Sequence, residues 1–96
     1  MLHYKQILLE QGKTFETSEK GNSMTPIISS GQKHILEPIL LKDVKVGDIV
    51  FCKVKGSYFT HLVTAINEKR GAQISNNHKH VNGWTRQVFG KVIKIL

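Results

Sequence analysis

Ser23 stands in the stretch Gly21-Asn22-Ser23-Met24-Thr25-Pro26, between a Gly-Asn pair and a Met-x-Pro. A serine hydroxyl is a weak nucleophile at its free pKa, so covalent catalysis here needs a turn that exposes it and a base within hydrogen-bond reach. The chain has five histidines. His3 lies in the terminal segment, His34 opens an apolar run, and His78 and His80 flank Lys79 in a polar stretch. His61 alone falls inside a hydrophobic strand, Tyr58 to Ile66, which would hold its ring rigidly, and an imidazole titrates near neutrality. Lys53 and Lys55 precede that strand and are expected to stay solvated and protonated, which suits neither to the role of base. Ser23 and His61 are thus candidate nucleophile and base. Each also has a structural reading: a serine beside Gly-Asn commonly bonds its own turn, and a strand histidine commonly bonds backbone.

The elements that must position these two residues are mostly strands. A short helix is expected over residues 2–11, with Leu2, Tyr4, Leu8 and Leu9 on one side and Gly12 as its C-terminal stop. From Thr14 onward the helical period gives way to β-type runs: TFETSE, HILEPIL, GDIVFCKV, YFTHLVTAI, AQIS and VFGKVIKI. Turn chemistry separates them in EKGN, SSGQ, KVGD, VKGS, EKRG and NNHKHVNG. Pro38 inside an apolar run predicts an irregular or edge strand over residues 33–41. Gly47 to Ile66 predicts a hairpin turning through Lys55-Gly56-Ser57. Asn76 to Asn82 reads as a surface loop, and Trp84 after it as a packing residue.

Ninety-six residues make one domain, with a terminal helix or arm over 1–12 and a β core over 13–96. Hydrophobic residues are 40% of the chain and charged ones 22%, a composition that folds rather than stays disordered. Residues 1–10 lack the apolar stretch of a secretory signal or a membrane span, so neither a leader nor an anchor is expected. Cys52 has no partner for an internal disulfide and sits in an apolar run, which predicts a buried, inert thiol and a reducing, cytoplasmic setting. The formal charge is +7, and after Glu68 every charged side chain is basic. Such a surface favours acidic partners, nucleic acid among them, although no strand pair interleaves aromatics with Lys and Arg. His78 and His80 without a nearby carboxylate or second cysteine predict no metal centre, and no cofactor is expected.

Taken in order, GNSMTPIISSGQ, HILEP, KVGDIVFCKV, THLVTAI, ISNN and VFGKVIKI resemble the catalytic core of type I signal peptidases and LexA-type peptidases. The resemblance runs over residues 12–96 and is most specific at S-M-x-P, residues 23–26. It implies a small β-barrel or sandwich of that type, in which Ser23 is the nucleophile and Met24 and Pro26 shape the turn and the substrate cleft. The position after the GDIV hairpin, a lysine in bacterial members, is His61 here, as in the endoplasmic-reticulum and archaeal signal peptidases. Those Ser/His members support the histidine with an acid from a G-D-N-type segment. This chain reads Ile74-Ser75-Asn76-Asn77 instead, leaving Ser75 or Asn76 to orient the imidazole. Gln32 also stands where an acid is common in the family. Self-cleavage of the LexA type is not expected, because the chain contains neither an Ala-Gly nor a Cys-Gly pair. The function implied is hydrolysis of an extended peptide or protein substrate by Ser23 and His61. The rival is a weak or inactive member that binds a peptide, protein or nucleic-acid partner through its cleft or basic face.

Overall fold

The computed structural model describes residues 2–96 as one helix, a short 3-10 turn and seven strands. The strands are β1 (Phe15–Thr17), β2 (His34–Pro38), β3 (Ile49–Val54), β4 (Ser57–Asn67), β5 (Gly71–Ser75), β6 (Val81–Thr85) and β7 (Val88–Ile95). All pair antiparallel in one sheet of order β1-β2-β7-β3-β4-β5-β6. The sheet is not closed: β1 and β6 end it and do not pair with each other. The mainly-β reading holds, and the radius of gyration, 12.2 Å, is that of a single domain of this length.

Strand alternation divides the core between the two faces of the sheet. On β3, Val50, Cys52 and Val54 point into a cluster with Val44, Val63, Ala72, Ile74 and Val88, whereas Phe51 points the other way, to Leu9 and Leu36. The turn from β3 to β4 takes two residues, Lys55 and Gly56, both at positive φ, the backbone that matches the twist of a two-residue hairpin. That turn fixes the register, placing His61 opposite Val50 in the middle of the sheet.

The helix, α1 (Tyr4–Glu10), is shorter than expected and buries a different side. Leu2 and Tyr4 are exposed, and the buried residues are Lys5, Gln6 and Leu9. Polar burial is satisfied by partners distant in sequence: Lys5 Nζ donates to Glu19 Oε1 at 2.8 Å, and Tyr58 Oη donates to Gln6 Oε1. Leu9 is the apolar anchor and packs over Gly90, where any side chain would collide with both of its methyl groups. The strand carrying Pro38 is internal, between β1 and β7, and its irregularity is a register shift between Ile35 and Leu36. Pro38 ends the strand, where the loss of one N–H is tolerated.

The segment after Asn76 departs furthest from expectation. Only its first residues form a loop, and Val81–Thr85 is a strand on the outer edge of the sheet. Its polar composition and Gly83 at φ +137° conceal the strand pattern. Trp84 lies opposite Gln73 on that edge, half-buried, with the Arg70 guanidinium 5.7 Å from its ring.

Candidate active site

Three elements converge on Ser23. The loop between β1 and β2 folds into successive turns: Thr25 N–H and Oγ1–H donate to Asn22 O at 3.2 and 2.8 Å, and Ile28 N–H donates to Met24 O at 2.9 Å. These turns bury Met24 and Ile28 while leaving Ser23 exposed. His61 reaches the serine from β4. Its Nε2 lies 3.0 Å from Ser23 Oγ, within hydrogen-bond reach.

The other side of the imidazole is held by a residue that sequence reasoning missed. His61 Nδ1 lies 2.7 Å from Asn82 Oδ1. Asn82 belongs to β6, where Ile74 pairs with Gly83 and Ser75 with Val81, so Asn82 is an extra residue without a cross-strand partner. Such a bulge re-aims a side chain, and here it turns the carboxamide toward His61. With the amide oxygen accepting from Nδ1–H, the neutral ring keeps a bare Nε2, which accepts the Ser23 hydroxyl proton. A polar residue after a turn, followed by Gly and an aromatic, was the only signal of this in the sequence.

Ser75 and Asn76, expected to orient the histidine, do other work. Ser75 is buried and its hydroxyl bonds Thr64 Oγ1 at 3.0 Å. Asn76 builds the loop between β5 and β6, its Oδ1 accepting from His78 N–H at 2.8 Å and His80 N–H at 3.0 Å. The loop shaped in this way grips the serine turn. Asn77 N–H donates to Ser23 O and Asn77 Nδ2–H to Thr25 O, both at 2.8 Å, while His78 Nε2–H donates to Asn22 O at 2.8 Å. The two short sides of His61 and Ser23 are thus tied by one hairpin, β5–β6, whose loop holds the serine and whose edge strand holds the histidine. His78 is engaged by the serine turn.

Burial lowers the pKa of His61, and His80 adds to that effect; the Asn82 bond and the charge of Glu19 oppose it without cancelling it. The ring is therefore neutral at neutral pH, the state a general base requires. Its face packs on Phe59, with ring centroids 4.8 Å apart, which removes one side of the ring from water.

Of the expected cleft residues, Met24 walls a small cavity beside Ser23, and Pro26 is exposed and joined to Thr25 by a cis peptide. Glu19 contributes to the same cavity. Burial raises the pKa of its carboxyl, but hydrogen bonds from Lys5 and Thr60 and the charge of Lys5 outweigh this and hold it below the ordinary range. Cys52 is fully buried on β3, and desolvation, with the charge of Glu19, pushes its thiol up to about 12, so it is inert as a nucleophile. No helix among the described residues is long and apolar enough to cross a membrane. Among known proteins, no family model matches the sequence and no curated protein matches it.

Proposed function

We propose that the protein is a serine endopeptidase working through a Ser23/His61 dyad, built on a core of the signal-peptidase/LexA type. The observation that carries this reading is the continuous chain from Ser23 Oγ to His61 Nε2 at 3.0 Å and from His61 Nδ1 to Asn82 Oδ1 at 2.7 Å. Nucleophile, base and orienting group are the three parts that activate a serine, and a Cys-His-Asn version of the same logic serves other peptidases. In the reaction, Ser23 Oγ attacks the scissile carbonyl as its proton passes to His61 Nε2. The imidazolium then gives that proton to the leaving amine, and the acyl-enzyme is hydrolysed by water activated by the same ring. The Ser23 backbone N–H, which no hydrogen bond occupies among the described residues, would receive the oxyanion. Substrate would bind extended against a free sheet edge beside the site, with small side chains entering pockets. The free, buried Cys52 favours a reducing, cytoplasmic setting.

One observation favours the rival reading of a weak or inactive binding protein: the group on His61 Nδ1 is a neutral amide. It fixes the tautomer but stabilises the imidazolium less than a carboxylate would. The experiment that separates the two is digestion of a diverse peptide mixture, read by mass spectrometry, with the wild type, Ser23→Ala and His61→Ala. Cuts made by the wild type and absent from both variants establish the peptidase. Equal silence from three folded proteins removes it, and the cleft then becomes a binding site to be probed with peptides.

A further inference from the structure

Of the five asparagines in the chain, only Asn82 is followed by glycine. The backbone nitrogen after an asparagine closes on the side-chain amide most readily when it belongs to glycine, which has no side chain to crowd the ring that forms. Here the pair stands on β6, which ends the sheet, and Asn82 is the bulged residue without a cross-strand partner. Its neighbour Val81 is 50% exposed. Local opening at the edge of a sheet takes little free energy and admits water.

Two side chains stand at the reacting groups. His61 Nδ1 lies 2.7 Å from Asn82 Oδ1, the oxygen on which negative charge develops when Asn82 Cγ is attacked. A donor at that distance acts as one in an oxyanion hole does. On the other residue of the pair, a Cβ at Gly83 would meet Lys55 Nζ at 3.7 Å. A cation so placed favours the ionised form of a group that must lose a proton.

We propose that Asn82 is a self-modification site, at which the amide beside His61 is converted to a carboxylate. Gly83 N bonds to Asn82 Cγ, the Cγ–Nδ2 bond breaks, and the nitrogen leaves as ammonia with the proton that Gly83 N gave up through solvent. Water then adds to Cγ of the cyclic imide and the Cγ–N bond breaks, which returns a proton to Gly83 N and leaves an aspartate side chain. The net exchange is one water for one ammonia, with nothing oxidised or reduced. The imide can also open at its backbone carbonyl, which would give isoaspartate and lengthen the main chain. The His61 bond to Oδ1 polarises Cγ and directs opening there, so ordinary aspartate forms and the backbone of β6 is unchanged. The consequence for catalysis rests on the peptidase reading: the acid absent from the encoded sequence arises after folding, on the Nδ1 side of His61, where a carboxylate stabilises the imidazolium.

The test follows the purified full chain in mildly alkaline buffer, by peptide mapping and mass spectrometry that separates aspartate from isoaspartate. The folded wild type is compared with the same chain in urea, with His61→Ala and with Lys55→Asn; Asn22, Asn67, Asn76 and Asn77 serve as references within each molecule. Asn82 is expected to convert ahead of the other four and to give mainly aspartate in the folded chain, against mainly isoaspartate in urea. His61→Ala is expected to convert on the order of tenfold more slowly. An Asn82 that keeps its amide in the folded wild type while the unfolded chain loses it overturns the proposal, as does isoaspartate as the main folded product or an unchanged rate in His61→Ala. If His61→Ala does not fold by circular dichroism, Lys55→Asn decides in its place: the residue is exposed, asparagine tolerates its positive φ, and loss of the cation is expected to slow conversion. Ion exchange then separates the two forms by charge. The converted form is expected to cut a peptide on the order of tenfold faster than the amide form, with its acid limb at higher pH. A converted form that is no faster overturns the gain in activity, whereas silence of both forms on every peptide overturns the peptidase reading and leaves the conversion standing.

Discussion

Asn82 Oδ1 accepts from His61 Nδ1 at 2.7 Å, across from an edge strand in which Asn82 is the one residue without a partner. The contact sets both the tautomer and the direction of the ring that meets Ser23. Truncation, Asn82→Ala, is expected to lower kcat by on the order of 10²-fold with little change in KM, because a freed imidazole samples the wrong tautomer. Asn82→Asp should do the reverse, since a carboxylate at the same place fixes Nδ1–H and also stabilises the imidazolium that forms. Rates for the two variants on one peptide decide the matter: equal, small effects from both would mean that Asn82 does not orient the base.

The pH dependence follows from the lowered pKa of His61. Cleavage needs the neutral ring, so kcat/KM should rise along an acid limb that lies below the ordinary histidine value of about 6.5. In Asn82→Asp the added negative charge favours the imidazolium and should move that limb to higher pH. The same group affects folding. Between its lowered folded pKa and its unfolded value, the unfolded chain binds the extra proton, so stability should fall as pH drops from neutrality into that window. Glu19 acts further down: its folded pKa is also lowered, so its contribution is present above the unfolded value and is lost as pH falls through the folded one. Peptide cleavage and urea midpoints measured from pH 8 to pH 4 check both directions.

The meeting of Ser23 with His61 and the strands nearest them were legible because their signals are local. Alternation in GDIVFCKV and YFTHLVTAI and the Lys55-Gly56 turn fix a hairpin, and the hairpin fixes where His61 sits. Asn82 was not legible, because a bulged edge strand of the composition VNGWT has neither the alternation nor the apolarity of a strand, and only its pairing with β5 makes it one. The polar face of α1 failed for a related reason. Lys5 and Gln6 are buried by partners 14 and 52 residues away, and no helical period encodes that.

Cys52 makes a separate prediction about access. With the thiol fully buried, pushed up to about 12 and donating to Phe59 O at 3.6 Å, the native protein should resist alkylation at pH 8. Labelling should become fast only on addition of denaturant, in step with unfolding. Rapid modification of the folded protein would show that the β3 face of the core opens to solvent.

Asn77 is the main tether between the β5–β6 loop and the serine turn, through its backbone N–H to Ser23 O and its side chain to Thr25 O. Asn77→Ala removes only the second bond, and the expected cost in stability is about 1 kcal/mol. The expected cost in rate is larger, roughly tenfold or more, because small misplacements of a nucleophile weaken attack far more than they weaken folding. Urea denaturation beside single-turnover cleavage separates the two, and a rate loss no greater than the stability loss would show that the turn holds Ser23 without the loop.

Lys5 and Glu19 carry the link from α1 to the site. The Lys5 side chain is 5% exposed and that of Glu19 36%, so the ammonium depends on this carboxylate for its compensation. Glu19→Ala leaves a buried cation unpaired and also releases Thr60, the neighbour of His61, from its acceptor. A loss of about 2–4 kcal/mol is expected, close to that for breaking a buried pair. Glu19→Gln keeps an acceptor for both donors while removing the charge, and should recover part of that stability while lowering the pKa of His61 further, since the Glu19 charge raises it. Thermal denaturation of both variants, with the acid limb of Glu19→Gln measured on the same peptide, tests the two effects separately: an unshifted limb would confine Glu19 to holding α1 in place.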